Sequence, residues 1–175
     1  PGVGRSKLRG RVRIQAWAWE DLSFRTCWIY GARGNTCLLT ILRLAKEREE
    51  LSIVDDQIGA PTWSRVIAAA TKGILLNLGY GEAAFRETCA EKGGVYNLTA
   101  AGQTSWHGFA AAILAQAASA PHGSPFFLER VPAPQPLTTA QYPTPAQRPP
   151  HSDLSTATPQ DPPVVTIPPL KSPPP

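Results

Sequence analysis

Short runs rich in β-branched and aromatic residues alternate along this chain with longer segments of helical period, and that alternation limits the folds open to it. Residues 22–30 (LSFRTCWIY) end at Gly31 and read as a strand. Asn35 is a plausible N-cap for a helix whose Leu38, Leu39, Ile41, Leu42 and Leu44 form one broad apolar face before the charged run 46–50. Residues 51–54 form a second short strand and 57–62 a Gly/Pro loop. Thr62 is positioned to cap a helix from Trp63 to about Leu78, with Val66, Ile67, Ala70, Ile74 and Leu75 inward. Residues 79–93 read as a polar connector and 95–98 as a third strand. Thr104 or Ser105 then caps an Ala-rich helix to about Ala118. The opening stretch 7–18 is helix-like but poorly periodic. Strands separated by helices argue for an α/β fold with a mainly parallel sheet.

The chain changes character near its end. Of its 19 prolines, 15 fall between Pro132 and Pro175, so regular packing is expected only before that stretch. After Pro121 the chain reads as irregular, and residues 156–175 as a disordered proline-rich tail. Net charge is +4, with Arg5, Lys7, Arg9, Arg11 and Arg13 crowded into the first 13 residues. No aromatic platform or recognition motif accompanies these cations, so no nucleic-acid partner is expected. Cys27, Cys37 and Cys89 are odd in number and lack CxxC spacing, which argues against a disulfide framework or zinc site and for a reducing, cytoplasmic setting. No run of 18 apolar residues occurs, so no membrane partner is expected. The chain contains no Met and opens on Pro1-Gly-Val3, which reads as a fragment.

Several stretches, in order, resemble the dTDP-4-dehydrorhamnose reductase family of extended short-chain dehydrogenases. They are GRSKL at 4–8, FRTCWIYG at 24–31, LRLAKEREEL at 42–51 leading into DDQIGAPT at 55–62, and GVYNLT at 94–99 with TSWH at 104–107. A late segment, YPTPA at 142–146 followed by Arg148-Pro149, resembles the family's late loop. The resemblance implies the C-terminal portion of a doubly wound Rossmann-type sheet plus a small substrate-binding domain. Residues 1–34 would be the last part of a truncated dinucleotide-binding domain. Residues 35–130 would be the substrate-binding domain with strands returning to the sheet, and 131–155 the late loop. No GxGxxG dinucleotide fingerprint occurs in this sequence.

The reaction implied is NADPH-dependent reduction of dTDP-4-dehydro-L-rhamnose to dTDP-L-rhamnose, with NADH an alternative cofactor. The partners implied are the dTDP-sugar and a second copy in a homodimer. The family's proton donor is a Tyr four residues before a Lys, on one helix face. Lys7 fits that Lys, but Val3 stands where the Tyr is expected and has no ionisable proton. Lys7 would lower the Tyr pKa and bind the nicotinamide ribose; its bland reading is a solvated lysine in a basic run. Trp28 matches the family's sugar-contacting Trp, an indole face against an apolar sugar face with the N–H donating; its bland reading is a core Trp. Thr26 and Cys27, at the carboxyl end of the same strand, are the remaining candidates for the cofactor side, although a Ser is more usual where Cys27 stands.

The motif 57–62 reads mainly as a structural junction. Asp55 and Asp56, adjacent on a strand, point to opposite faces and are not expected to share a proton. His107 reads as a surface or capping residue. Some family members dimerise through Mg²⁺ held by glutamates, but Arg65 occupies the matching place, which puts Mg²⁺ in doubt and leaves no metal ligand to name. The alternative to a reductase fragment is a non-catalytic nucleotide-sugar-binding homologue acting as a regulatory or interaction module.

Overall fold

The alternation survives in three dimensions, with the strands shorter and more numerous than their sequence suggests. A computed structural model describes residues 2–17, 22–77, 82–142, 149–152 and 154. Helix α1 (Gly2–Trp17) comes first, then strands β1 (Leu22–Arg25) and β2 (Ile29–Tyr30), helix α2 (Cys37–Glu47) and strand β3 (Leu51–Val54). Strands β4 (Ile58–Gly59) and β5 (Thr62–Trp63) lead into helices α3 (Ser64–Asn77) and α4 (Glu82–Lys92). Strands β6 (Gly94–Asn97) and β7 (Thr104–Ser105) precede helix α5 (Trp106–Ala118), and β8 (Pro134–Leu137) follows.

Pairing is mostly parallel: β1 with β6, β2 with β5 and β3 with β8, while β4 and β7 run antiparallel. The α/β expectation therefore holds. The described strands form four two-stranded ladders.

Several local expectations are corrected. The single strand over 22–30 is two strands, broken because Trp28 sits at φ 44. It is the one non-glycine residue in the left-handed region among those described, a conformation that costs about 1–2 kcal/mol. The break lets the chain leave β6 and join β5. The polar connector at 79–93 contains α4, which is rich in the good helix formers Glu, Ala, Arg and Lys. Helix α2 begins after Thr36, not Asn35, and the Thr36 hydroxyl donates to Gly31 O at 2.8 Å. Thr62 lies buried in β5 and caps no helix, because its hydroxyl is committed elsewhere. Leu75, expected inward, is 49% exposed. The irregular region after Pro121 contains β8. Pro134 and Pro136 are two apart, so both missing N–H groups fall on one edge and the other edge stays free to pair with β3. The proline-rich tail 156–175 lies outside the described residues.

The main core lies where α2 packs on α5 beside β3. It contains Ile41, Leu42 and Ala45 from α2, Leu51 from β3, and Phe109, Ala110, Ile113, Leu114 and Ala117 from α5. Ser105 caps α5 as expected, its hydroxyl accepting from Gly108 N at 2.9 Å. A smaller cluster sets Leu98 and Ala100 against Phe24, Val66, Ile67 and Ala70. Among the described residues, none from helix α1 joins either cluster.

Candidate functional site

Four segments meet at Trp28. Its indole stacks on Trp106, the first residue of α5, with ring centroids 3.7 Å apart and planes 13° from parallel. A side chain at Gly59 would place its Cβ 2.4 Å from Trp28 Cε2, so only glycine lets β4 lie against the ring. Since Trp106 fills one face, Gly59 takes the other. Trp28 Nε1 donates to Ser152 Oγ at 3.0 Å, and Ser152 Oγ donates in turn to Ile58 O at 3.1 Å. The indole's faces and its N–H are thus engaged within the protein, and since Trp28 is only half-buried, its perimeter is what remains for any further contact. The face contact expected from sequence has no free face here.

Beside the indole, Cys27 Sγ lies 3.4 Å from Ala60 O and 3.3 Å from Thr99 Oγ1. Thr99 Oγ1 lies 3.0 Å from Thr62 Oγ1, which donates to Ala60 O at 2.9 Å and accepts from Ala100 N at 3.1 Å. This network ties the end of β1 to the motif 57–62 and to the turn after β6. The junction role expected of that motif has a physical basis in these bonds, and the Cys27 thiol is part of it. Thr26 differs: its Oγ1 is buried and has no hydrogen-bond partner among the described residues. A buried hydroxyl without a partner is costly in a finished interior, and it fits a polar ligand group arriving at the strand end.

Lys7 stands apart from these residues. It is exposed on α1, and among the described residues none of the indole's partners comes from that helix. Val3 lies one helical turn earlier. Arg5, Ser6, Arg9, Gly10 and Arg13 line an open concavity along α1.

A second polar cluster closes the far end of β3. Ser105 Oγ donates to Asp55 Oδ1, His107 Nδ1 is 3.7 Å from the same oxygen, and His107 Nε2 is 3.0 Å from Pro134 O. Asp56 instead accepts from Thr139, at 2.9 Å from the backbone N and 2.6 Å from Oγ1. The side-chain bond from Thr139, helped by its backbone bond, holds the Asp56 carboxyl below the usual range. The two carboxylates have different partners, although both lie past the end of β3 rather than on a strand. Burial pushes the Cys37 thiol up to about 11, outweighing the helix N-terminus on which it stands. Arg65 is exposed, its guanidinium carbon 5.8 Å from the Trp63 ring centroid. Among the described residues, no group of three or more His, Cys, Asp or Glu could hold a metal ion, and no helix is long and apolar enough to cross a membrane.

Trp106, Gly59, Thr99 and Ser152 are the partners that sequence reasoning missed. Ser152 lies 124 residues from Trp28, and no periodicity links them. The one available signal was that all four sit inside or next to the stretches that carry the family resemblance.

Comparison with known proteins identifies the family. The RmlD substrate binding domain family matches residues 2–171. The dTDP-4-dehydrorhamnose reductase of Burkholderia thailandensis is 47% identical over 154 residues, which cover 87% of this chain and 49% of that protein. The reductase of the same description from Escherichia coli K12 is 40% identical, covering 87% and 47%. A crystal structure of dTDP-4-dehydrorhamnose reductase from Bacillus anthracis in complex with NADP matches with a TM-score of 0.68 and 28% identity, over 87% of this chain and 46% of that one. The chain spans about half the length of the curated relatives it matches.

Proposed function

Because the chain belongs to the RmlD substrate-binding-domain family, we propose that it forms the nucleotide-sugar-binding part of a dTDP-4-dehydrorhamnose reductase. The reaction is reduction of dTDP-4-dehydro-L-rhamnose to dTDP-L-rhamnose. The observation that carries this reading is the convergence on Trp28 of segments from the family-like stretches, beside a Thr26 hydroxyl that has no partner among the described residues. Trp28 contacts the sugar with the open perimeter of its ring. Thr26 offers a hydroxyl to the cofactor at the carboxyl end of β1. The contacts of Cys27 favour a structural part for its thiol.

NADPH, when bound, supplies the hydride. Lys7 offers a cation to the cofactor's ribose, and its exposure leaves it free to do so. The proton donor is the weak point, since Val3 has none to give. Loss of general acid catalysis, typically worth about 10²–10⁴-fold, raises the barrier by about 3–5 kcal/mol. That residue favours a second reading, in which the chain binds the nucleotide-sugar without turning it over. Both readings hold that the 175 residues alone bind dTDP-sugars and are inactive.

The test is calorimetric titration of the chain with dTDP-L-rhamnose, run beside an assay of NADPH oxidation with dTDP-4-dehydro-L-rhamnose. Binding without turnover is expected. Turnover would overturn the role given to Val3, and failure to bind would overturn the substrate reading.

A further inference from the structure

The way Trp28 is held goes beyond what a core tryptophan needs. Its backbone occupies a left-handed conformation that persists only where the surroundings over-determine it. Those surroundings are Trp106 on one face, Gly59 on the other and Ser152 at the N–H. Ser152 belongs to a strap that runs beside β4. Ile58 N donates to Pro150 O at 2.7 Å, Ser152 N donates to Ile58 O at 2.9 Å, and Ile58 bridges His151 in parallel. The Ser152 hydroxyl does two things at once, accepting from the indole and donating to Ile58 O. A threonine can do the same, and an alanine can do neither.

We propose that Ser152 and Trp106 are positioning residues for Trp28. They lock the indole at one tilt, so that its open perimeter is offered to the sugar of a nucleotide-sugar. Trp106 sets the plane of the ring by stacking, and Ser152 sets its rotation within that plane through a directional bond. The strap thereby couples a segment 124 residues downstream to the ligand without touching it. This inference rests on the substrate reading above, and its test separates the two.

Two measurements on the 175-residue chain and its variants suffice. Stacked indoles couple as excitons, so the Trp28–Trp106 pair is expected to give a far-ultraviolet circular-dichroism couplet. Ser152→Ala weakens that couplet, and Ser152→Thr retains it. Affinity for dTDP-L-rhamnose falls about five-fold in Ser152→Ala, the size expected of one neutral hydrogen bond, and Ser152→Thr restores it. Affinity for dTDP, which lacks the sugar, stays unchanged. An unaltered couplet with unaltered affinities in Ser152→Ala would overturn the positioning role. Equal losses for dTDP and dTDP-L-rhamnose would also overturn it, since they mark a general structural defect. In both cases the substrate reading stands. A wild-type chain that binds neither ligand overturns the substrate reading and this inference together.

Discussion

Helices α5 and α1 are similar in length, at 13 and 16 residues, and opposite in surroundings. Helix α5 buries Phe109, Ala110, Ile113, Leu114 and Ala117 against α2 and β3. Helix α1 leaves Leu8, Val12 and Ile14 at 59%, 55% and 55% exposure. It also carries Arg5, Arg9 and Arg13 at four-residue spacing with no acidic side chain in the helix to offset them. Like charges at that spacing each cost about 0.2–0.5 kcal/mol. Helix α5 thus draws its stability from tertiary packing, while the large apolar side chains described on α1 stay mostly in solvent. The difference teaches where the chain's stability resides, and that a helix can be legible without being anchored.

The largest effect expected is at Leu114, which is 1% exposed. Leu114→Ala should cost about 2–5 kcal/mol in urea denaturation, against less than about 0.5 kcal/mol for Leu8→Ala. Comparable losses at the two positions would break the contrast. Next comes Gly59→Ala, whose methyl would strike the Trp28 ring and should cost about 1–3 kcal/mol by overpacking, measured the same way. A neutral result would mean that the indole yields and that β4 does not hold it.

Ser105→Ala should cost about 1 kcal/mol by removing the cap of α5. The loss should appear in the melting of the α2–α5 core, followed by amide exchange at Ile113 and Leu114. The smallest effect concerns pH. Thr139 holds the Asp56 carboxyl below its ordinary value, so the bond stabilises the fold above an unfolded pKa of about 3.9 and is lost as pH falls toward the lower folded value. Thr139→Val should move the Asp56 titration, read by carboxyl NMR, up toward the ordinary range, with the backbone bond from residue 139 still holding part of the shift. An unshifted midpoint would show that the Thr139 hydroxyl is not its partner.

Period and composition alone determined the helices α2, α3 and α5, the α/β class, and the apolar face of α2, because those features depend on residues a few positions apart, while α4 escaped them. The cap at Ser105 was equally legible, since hydroxyl and amide are three residues apart. Tertiary structure decided the rest. It broke residues 22–30 at Trp28, drew Thr62 into a buried network and admitted Pro134–Leu137 as a strand beside β3. It also brought Trp106 and Ser152 to one indole. Each of these depends on contacts between residues far apart in the chain, and the geometry of such contacts is set by packing rather than by any local period.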